Sequence, residues 1–212
     1  SFLADVLIPQ ANPTEAEPLL QNSLEAQKVL YGEASSQVAG TYDSLAQVRR
    51  AQGLLGDAVN FSRKALEAQT LALGPQHFMT GYFRSSLASL LFRQEKYSEA
   101  EMELRSSLDV YATTLPPDHQ YVAASEHLLG EVMLRTNRLR DAEPLLTAAM
   151  HRWQRTTAAP SRAARSASAL GETLYRLGRI KEAEKYLVDA YKVLAHDEAS
   201  TPEERIKARE RI

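Results

Sequence analysis

An alanine returns every 42 residues along this chain. It stands at Ala16, Ala58, Ala100 and Ala142, then at Ala183 after a step of 41. An acidic residue precedes it each time: Glu15, Asp57, Glu99, Asp141 and Glu182. A second beat keeps the same time, at Leu45-Ala46, Leu87-Ala88, Leu129-Gly130 and Leu170-Gly171. A fixed period of this size specifies a stacked repeat array, in which each unit buries its apolar side only against its neighbours.

Each period divides into two helical patterns. In the stretch 76–117, Phe83, Leu87, Leu90 and Leu91 recur at helical spacing. Gln94-Glu95-Lys96 interrupts the stripe, and Ser98 stands where an N-cap would open a second helix. Ala100, Leu104, Leu108 and Tyr111 form the next stripe, which Leu115-Pro116-Pro117-Asp118 ends. Gly53 and Gly178 supply the tight turn in two other units, and Asn137 does so in a third. No strand-like alternation of useful length occurs, so the chain reads as all-α.

The recurring small residues have a mechanical reason. Antiparallel helices approach closely only where no large side chain intervenes. Ala46, Ala88, Gly130 and Gly171 leave that gap on the first helix of each pair. Ala58, Ala100, Ala142 and Ala183 leave it on the second. The second helices are expected to begin near residues 14, 56, 98, 140 and 181.

Leu170-Gly171, Gly178 and Ala183 resemble the signature of the tetratricopeptide repeat (TPR). The 42-residue period resembles the kinesin-light-chain type, as do Ala16-Glu17-Pro18-Leu19-Leu20, Ala142-Glu143-Pro144-Leu145-Leu146, Leu73-Gly74-Pro75-Gln76-His77 and Pro117-Asp118-His119. The resemblance implies an all-α, right-handed α-solenoid superhelix of stacked antiparallel helix pairs. One repeat domain is expected over 1–212. It comprises a partial repeat at 1–33, repeats at 34–75, 76–117, 118–159 and 160–200, and a terminal helix at 201–212. Thr201-Pro202-Glu203-Glu204 marks that last helix as a capping box with proline at its first position. Phe2, Leu3, Val6, Leu7 and Ile8 are expected to fold back on the neighbouring pair or to join a second copy in a homo-oligomer.

Composition removes several classes of function. With no cysteine, the chain has no disulfide, thiolate metal site or cysteine nucleophile, which leans toward a reducing, cytoplasmic compartment. A net charge of −2 gives no general attraction to nucleic acid or to an anionic membrane. Phe2 to Ile8 is too short to span a bilayer. No phosphate-cradling glycine loop or His-Glu-x-x-His pattern is present, and no cofactor, metal or catalytic residue is expected. His77 and His119 are 42 residues apart, so they occupy equivalent corners and are read as braces for the helices that follow. Trp153 is read as packing under an arginine, with Arg152 and Arg155 beside it.

The resemblance also implies a peptide-binding groove lined by the first helices. In the second complete unit its stripe is Tyr82, Ser85, Ser89, Phe92 and Arg93. The first unit offers Gly40, Asp43, Gln47, Arg50 and Ala51. The third offers Ala124, His127, Glu131, Leu134 and Arg135, and the fourth offers Arg165, Ser168, Glu172, Tyr175 and Arg176. Arg93, Arg135 and Arg176 are in register, with Phe92 and Tyr175 beside two of them. That pattern suits an acidic, partly apolar peptide or partner protein. Glu131 and Glu172 each precede an arginine by four residues, so Glu131–Arg135 and Glu172–Arg176 pairs compete with that role, while Arg93 has Ser89 there instead. Nine arginines and three acids between Arg135 and Arg179 add a longer-range attraction that salt would weaken.

The asparagine pairs of kinesin light chains are replaced here by Asp43-Ser44, Ser85-Ser86, His127-Leu128 and Ser168-Ala169, so their cargo specificity does not carry over. The resemblance implies a protein-interaction scaffold. It leaves open a regulatory or self-association segment of a larger signalling protein, such as a bacterial serine/threonine kinase.

Overall fold

The computed structural model describes residues 13–155, 160–196 and 201–211. Among them are ten α-helices and no strand. The chain divides into two compact units, Ser1–Thr114 and Leu115–Ile212. The expectation for Phe2, Leu3, Val6, Leu7 and Ile8 falls outside the described residues.

Unit 1 contains α1 (Pro13–Tyr31), α2 (Ser36–Ala51), α3 (Leu55–Leu73), α4 (Phe78–Arg93) and α5 (Tyr97–Thr114). Within it α2 packs against α3 and α4 against α5, with α3 joining the two pairs. Unit 2 contains α6 (Gln120–Arg135), α7 (Leu139–Arg155), α8 (Pro160–Arg176), α9 (Ile180–His196) and α10 (Pro202–Glu210). Here α6 pairs with α7 and α8 with α9, and α10 packs on α9 and α8. The second helices thus begin at residues 13, 55, 97, 139 and 180, one residue before each expected start.

The small residues sit where the helices cross. Ala46, Ala58, Ala88, Ala100 and Ala142 are fully buried. A Cβ added to Gly130 would lie 2.6 Å from Leu146 Cγ, and one added to Gly171 would lie 2.7 Å from Leu187 Cγ. Glycine is therefore required at these two crossings by close approach of a leucine from the paired helix.

The turns between paired helices need a left-handed residue. Gly53 (φ 77°) and Gly178 (φ 81°) adopt it without steric cost, Asn137 (φ 61°) at small cost, and Glu95 (φ 60°) against its preference. This turn also corrects the expected cap at Ser98. The helix α5 already begins at Tyr97, and the Lys96 carbonyl accepts the amide of Ala100 at 3.0 Å. Ser98 therefore lies inside the first turn rather than capping it.

His77 and His119 do brace the following helices. Each Nδ1 accepts a backbone amide at 3.2 Å, from Met79 and Tyr121 respectively. Trp153 is buried, and the cation over its ring is the Arg162 guanidinium, 4.9 Å from the centroid. That arginine comes from α8, not from the flanking Arg152 or Arg155. Arg152 instead pairs with Glu126 at 2.8 Å, and Arg155 pairs with Asp118.

Candidate functional site

The first helices of each unit carry the residues expected to line a binding face, but the two units present them differently. In unit 1, α4 places Tyr82, Ser85, Ser89 and Phe92 at half-buried positions and leaves Arg93 exposed. Arg93 has no hydrogen-bond or ion-pair partner among the described residues, whereas Arg84 on the same helix is held by Glu103 at 2.7 Å. Phe92 meets the ring of Tyr97 edge-on at 5.6 Å, and Tyr82 meets Phe83 likewise at 5.4 Å. The Ser85 hydroxyl donates to the Tyr82 carbonyl at 2.9 Å. On α2, Asp43 accepts the Ser86 hydroxyl at 2.9 Å, which ties the two first helices of this unit together. Gln47 accepts from Arg50 Nε at 2.9 Å, and both Arg50 and Ala51 are exposed.

In unit 2 part of the corresponding face is covered by the last described helix, α10. The Thr201 hydroxyl accepts the Glu204 amide at 3.2 Å, and Glu204 Oε2 accepts the Thr201 amide at 3.0 Å. This box starts α10 and aims its basic residues at α6 and α8. Lys207 Nζ lies 2.9 Å from one oxygen of Glu131, and Arg211 Nη2 lies 3.0 Å from the other. Arg211 Nε also reaches Glu172 Oε2 at 2.6 Å, and its Nη1 donates to Ser168 Oγ at 3.2 Å. Arg165 pairs with Glu204 at 2.5 Å. Thus Glu131, Arg165, Ser168 and Glu172, four members of the expected stripe, are all engaged by the last helical segment.

The expected Glu131–Arg135 pair does not form. Glu131 is only 4% exposed and turns inward to Lys207 and Arg211, while Arg135 stays exposed with no partner among the described residues. The Glu172–Arg176 pair is present but long, at 3.8 Å. Arg176 makes closer contacts with the Leu134 carbonyl at 3.1 Å and Asn137 Oδ1 at 2.9 Å, so it braces the preceding turn. Tyr175 beside it is 59% exposed. Ala124 is exposed and Leu134 is fully buried.

Burial and charge set the ionisation of this cluster. Burial would raise the pKa of Glu131, but the nearby Arg211 and Lys207 outweigh it and hold the carboxyl well below the usual range. Burial is the main reason that the His127 pKa falls to about 4. Glu131 opposes that fall, while Arg165, Lys207 and Arg211 add to it. His127 is therefore neutral at neutral pH. Its Nδ1 lies 3.1 Å from the Ser166 hydroxyl of α8, which joins the two first helices of this unit.

Sequence spacing missed Lys207, Arg211 and Glu204 as parts of this site. The two cations stand four residues apart, one helical turn, which is a legible signal of a shared face. Their partner Glu131 is 76 and 80 residues away, and no local spacing rule reaches that far. Among the described residues, no group of three or more histidines and carboxylates could hold a metal ion. No helix among them is long and apolar enough to cross a membrane.

The tetratricopeptide repeat family model matches residues 1–71, 79–155 and 122–195. The chain belongs to the tetratricopeptide repeat family. No curated protein matches it in sequence. Among solved structures it is similar to BtubC (BKLC) from P. vanneervenii, with 20% identity and a TM-score of 0.80 over 94% of this chain and 80% of that one. It is also similar to a kinesin-light-chain protein of Podosopora anserina with nearly identical TPR-like repeats. There the identity is 21% and the TM-score 0.73, over 93% of this chain and 94% of the other. A third similar structure is YrrB, a TPR protein with an unusual peptide-binding site. Its identity is 17% and its TM-score 0.54, over 89% of this chain and 92% of that one. At these identities the likeness shows the fold, an α-solenoid of TPR-like helix pairs. Repeats of this family form protein-interaction scaffolds, and the chain is one by family.

Proposed function

We propose that the chain binds a segment of another protein on the first-helix face of unit 1, and that the segment is acidic and partly apolar. The observation that carries this reading is Arg93, an exposed guanidinium without a partner among the described residues, one residue from Phe92 on α4. A guanidinium grips a carboxylate through two parallel hydrogen bonds, and the half-buried Phe92 and Tyr82 rings offer an apolar seat nearby. Binding there breaks no existing ion pair of Arg93. By contrast, Arg165, Lys207 and Arg211 of unit 2 are already engaged by Glu204, Glu131 and Glu172, and its exposed Arg135 stands next to the fully buried Leu134 rather than a half-buried ring. YrrB's peptide-binding site supports the general mode, a peptide held by a TPR array.

The test is selection from a peptide display library against the immobilised chain, followed by affinity measurement on the enriched sequences. Enriched peptides should carry a carboxylate beside an aliphatic or aromatic residue. Arg93→Glu should weaken them by about tenfold or more, the loss of one charge-assisted contact, and a Lys96→Glu control should do little. Enrichment that is unchanged by Arg93→Glu would refute the reading.

A further inference from the structure

The helix α10 is attached to unit 2 in an unusual way for a packed helix. Its apolar anchorage is slight. Ala208 is 3% exposed and packs with Ala164, Ala190 and Leu194, while Ile206 remains 58% exposed. Burying one alanine contributes little compared with a leucine or phenylalanine. Charged contacts add to it: Lys207 and Arg211 on Glu131, Arg211 on Glu172 and Ser168, and Glu204 on Arg165. A short element with few buried apolar groups belongs to the low-stability end of a structure.

The seat itself is built to receive cations. Glu131 is held on α6 with one oxygen directed at Lys207 of α10 and the other at Arg211, the residue that caps the C-terminus of α10. A buried carboxylate is costly without such partners, so the seat must either hold cations or open to water. Glu172 and Ser168 extend it along α8, and Arg211 lies across both with its side chain only 8% exposed. The occupant is therefore defined by its chemistry. It is a helical segment with one cation in its last turn and a second at its C-cap, four residues on, and a small residue between them, the place that Ala208 takes in α10.

We infer that the Glu131–Ser168–Glu172 seat is a binding site for a basic helical segment of another protein, and that α10 is a tethered occupant which such a segment displaces. The tether gives α10 a high effective concentration, so an untethered competitor binds weakly unless the α10 contact is first loosened. This site lies in unit 2 and uses acids to take cations. The proposed Arg93 site lies in unit 1 and uses a cation to take acids. The failure of one leaves the other standing.

The probe is a fluorescent synthetic peptide with the sequence of residues 201–212, read by anisotropy. In the 212-residue chain, Lys207→Glu together with Arg211→Glu turns the attraction of α10 for its seat into repulsion. That variant should bind the peptide about tenfold or more tightly than the unaltered chain does. Adding Glu131→Gln should remove the gain, as should a peptide with both cations changed to alanine. Helical ellipticity and Trp153 emission report whether the variant is folded. A second measurement needs no variant: excess peptide should speed hydrogen exchange of the α10 amides in the unaltered chain and leave those of α4 unchanged. No gain in peptide binding by the folded double variant, or no change in α10 exchange, would overturn the inference.

Discussion

The two units share a scaffold and differ in what covers its first-helix face. In unit 1, Arg93 stands beside the half-buried Phe92, unpaired among the described residues. In unit 2, the positions in register with Ser85 and Ser89 are Ser168 and Glu172, and both are held by Arg211. The backbone plan is the same in each, set by small residues at the crossings and left-handed residues at the turns. The difference arises from side chains that the repeat does not dictate. The lesson is that a repeat fixes the shape of a face, whereas its availability depends on whether another segment of the chain matches its charges.

The cores differ as well. The second helices of unit 2 carry Leu146 and Trp153 in α7, and Leu187 and Leu194 in α9, all buried. The same register in α3 of unit 1 holds Ser62 and Gln69, both fully buried, seven residues apart on one face. The Ser62 hydroxyl and both amide atoms of Gln69 lack hydrogen-bond partners among the described residues. An unsatisfied buried polar atom costs about 1–3 kcal/mol. Unit 1 thus combines an exposed Arg93 on α4 with a second helix, α3, that carries this cost.

The largest expected effect tests what the units share. Ala100 and Ala142 are fully buried at equivalent crossings, so Ala100→Leu and Ala142→Leu should each cost about 1–3 kcal/mol by overpacking. Denaturant unfolding measures both, and a variant that unfolds like the parent would show that its crossing is not close-packed.

Acid should act on unit 2 in particular. The folded-state pKa of His127 is about 4, below its ordinary 6.5. The unfolded chain therefore takes up this proton first as pH falls. The stability contributed by neutral His127 is fully present above 6.5 and is lost as pH falls from 6.5 through 4. Glu131, whose pKa is also depressed, adds a loss in the same direction below its ordinary 4.5. Trp153, the single tryptophan, lies in unit 2 and reports the effect by its emission during melting. His127→Gln should remove the part of the decline between pH 6.5 and 4. An unchanged decline would place its origin elsewhere.

A smaller and opposite effect is expected in α3. Gln69→Leu removes two unsatisfied polar atoms and matches Leu194 in register, so it should stabilise unit 1 by about 1 kcal/mol. Loss of stability in denaturant unfolding would show that the Gln69 amide is satisfied in solution. The smallest change is at the turn of the same unit. Glu95 holds φ 60°, and Glu95→Gly relieves that strain at some entropic cost, for a net gain of about 0.5–1 kcal/mol. A lower melting temperature would contradict the left-handed turn.

Much of the fold was legible because it is encoded locally and repeated. The period of Ala58, Ala100 and Ala142 placed each second helix to within one residue, and Gly53, Asn137 and Gly178 marked the turns. Ser98 misled because its hydroxyl suits a cap, while the Glu95 turn starts the helix earlier. The face residues were legible as a stripe but not in their pairing. Glu131 was assigned to Arg135 by the four-residue rule, which holds only for side chains on an exposed helix surface. A carboxylate that the packing buries takes whichever cations reach it, and these came from Lys207 and Arg211 at the far end of unit 2.

The contrast between the faces is tested most directly by thiol labelling, because the chain has no cysteine of its own. Single cysteines at the registered positions, Ser85→Cys in unit 1 and Ser168→Cys in unit 2, should react at different rates. Position 85 is half-buried and position 168 lies beneath Arg211. The Ser168→Cys thiol should label about tenfold or more slowly, and adding Arg211→Glu should accelerate it while leaving Ser85→Cys unchanged. Equal rates at the two positions, or a Ser168→Cys rate indifferent to Arg211, would contradict a stripe reachable at position 85 of unit 1 and covered by Arg211 at position 168 of unit 2.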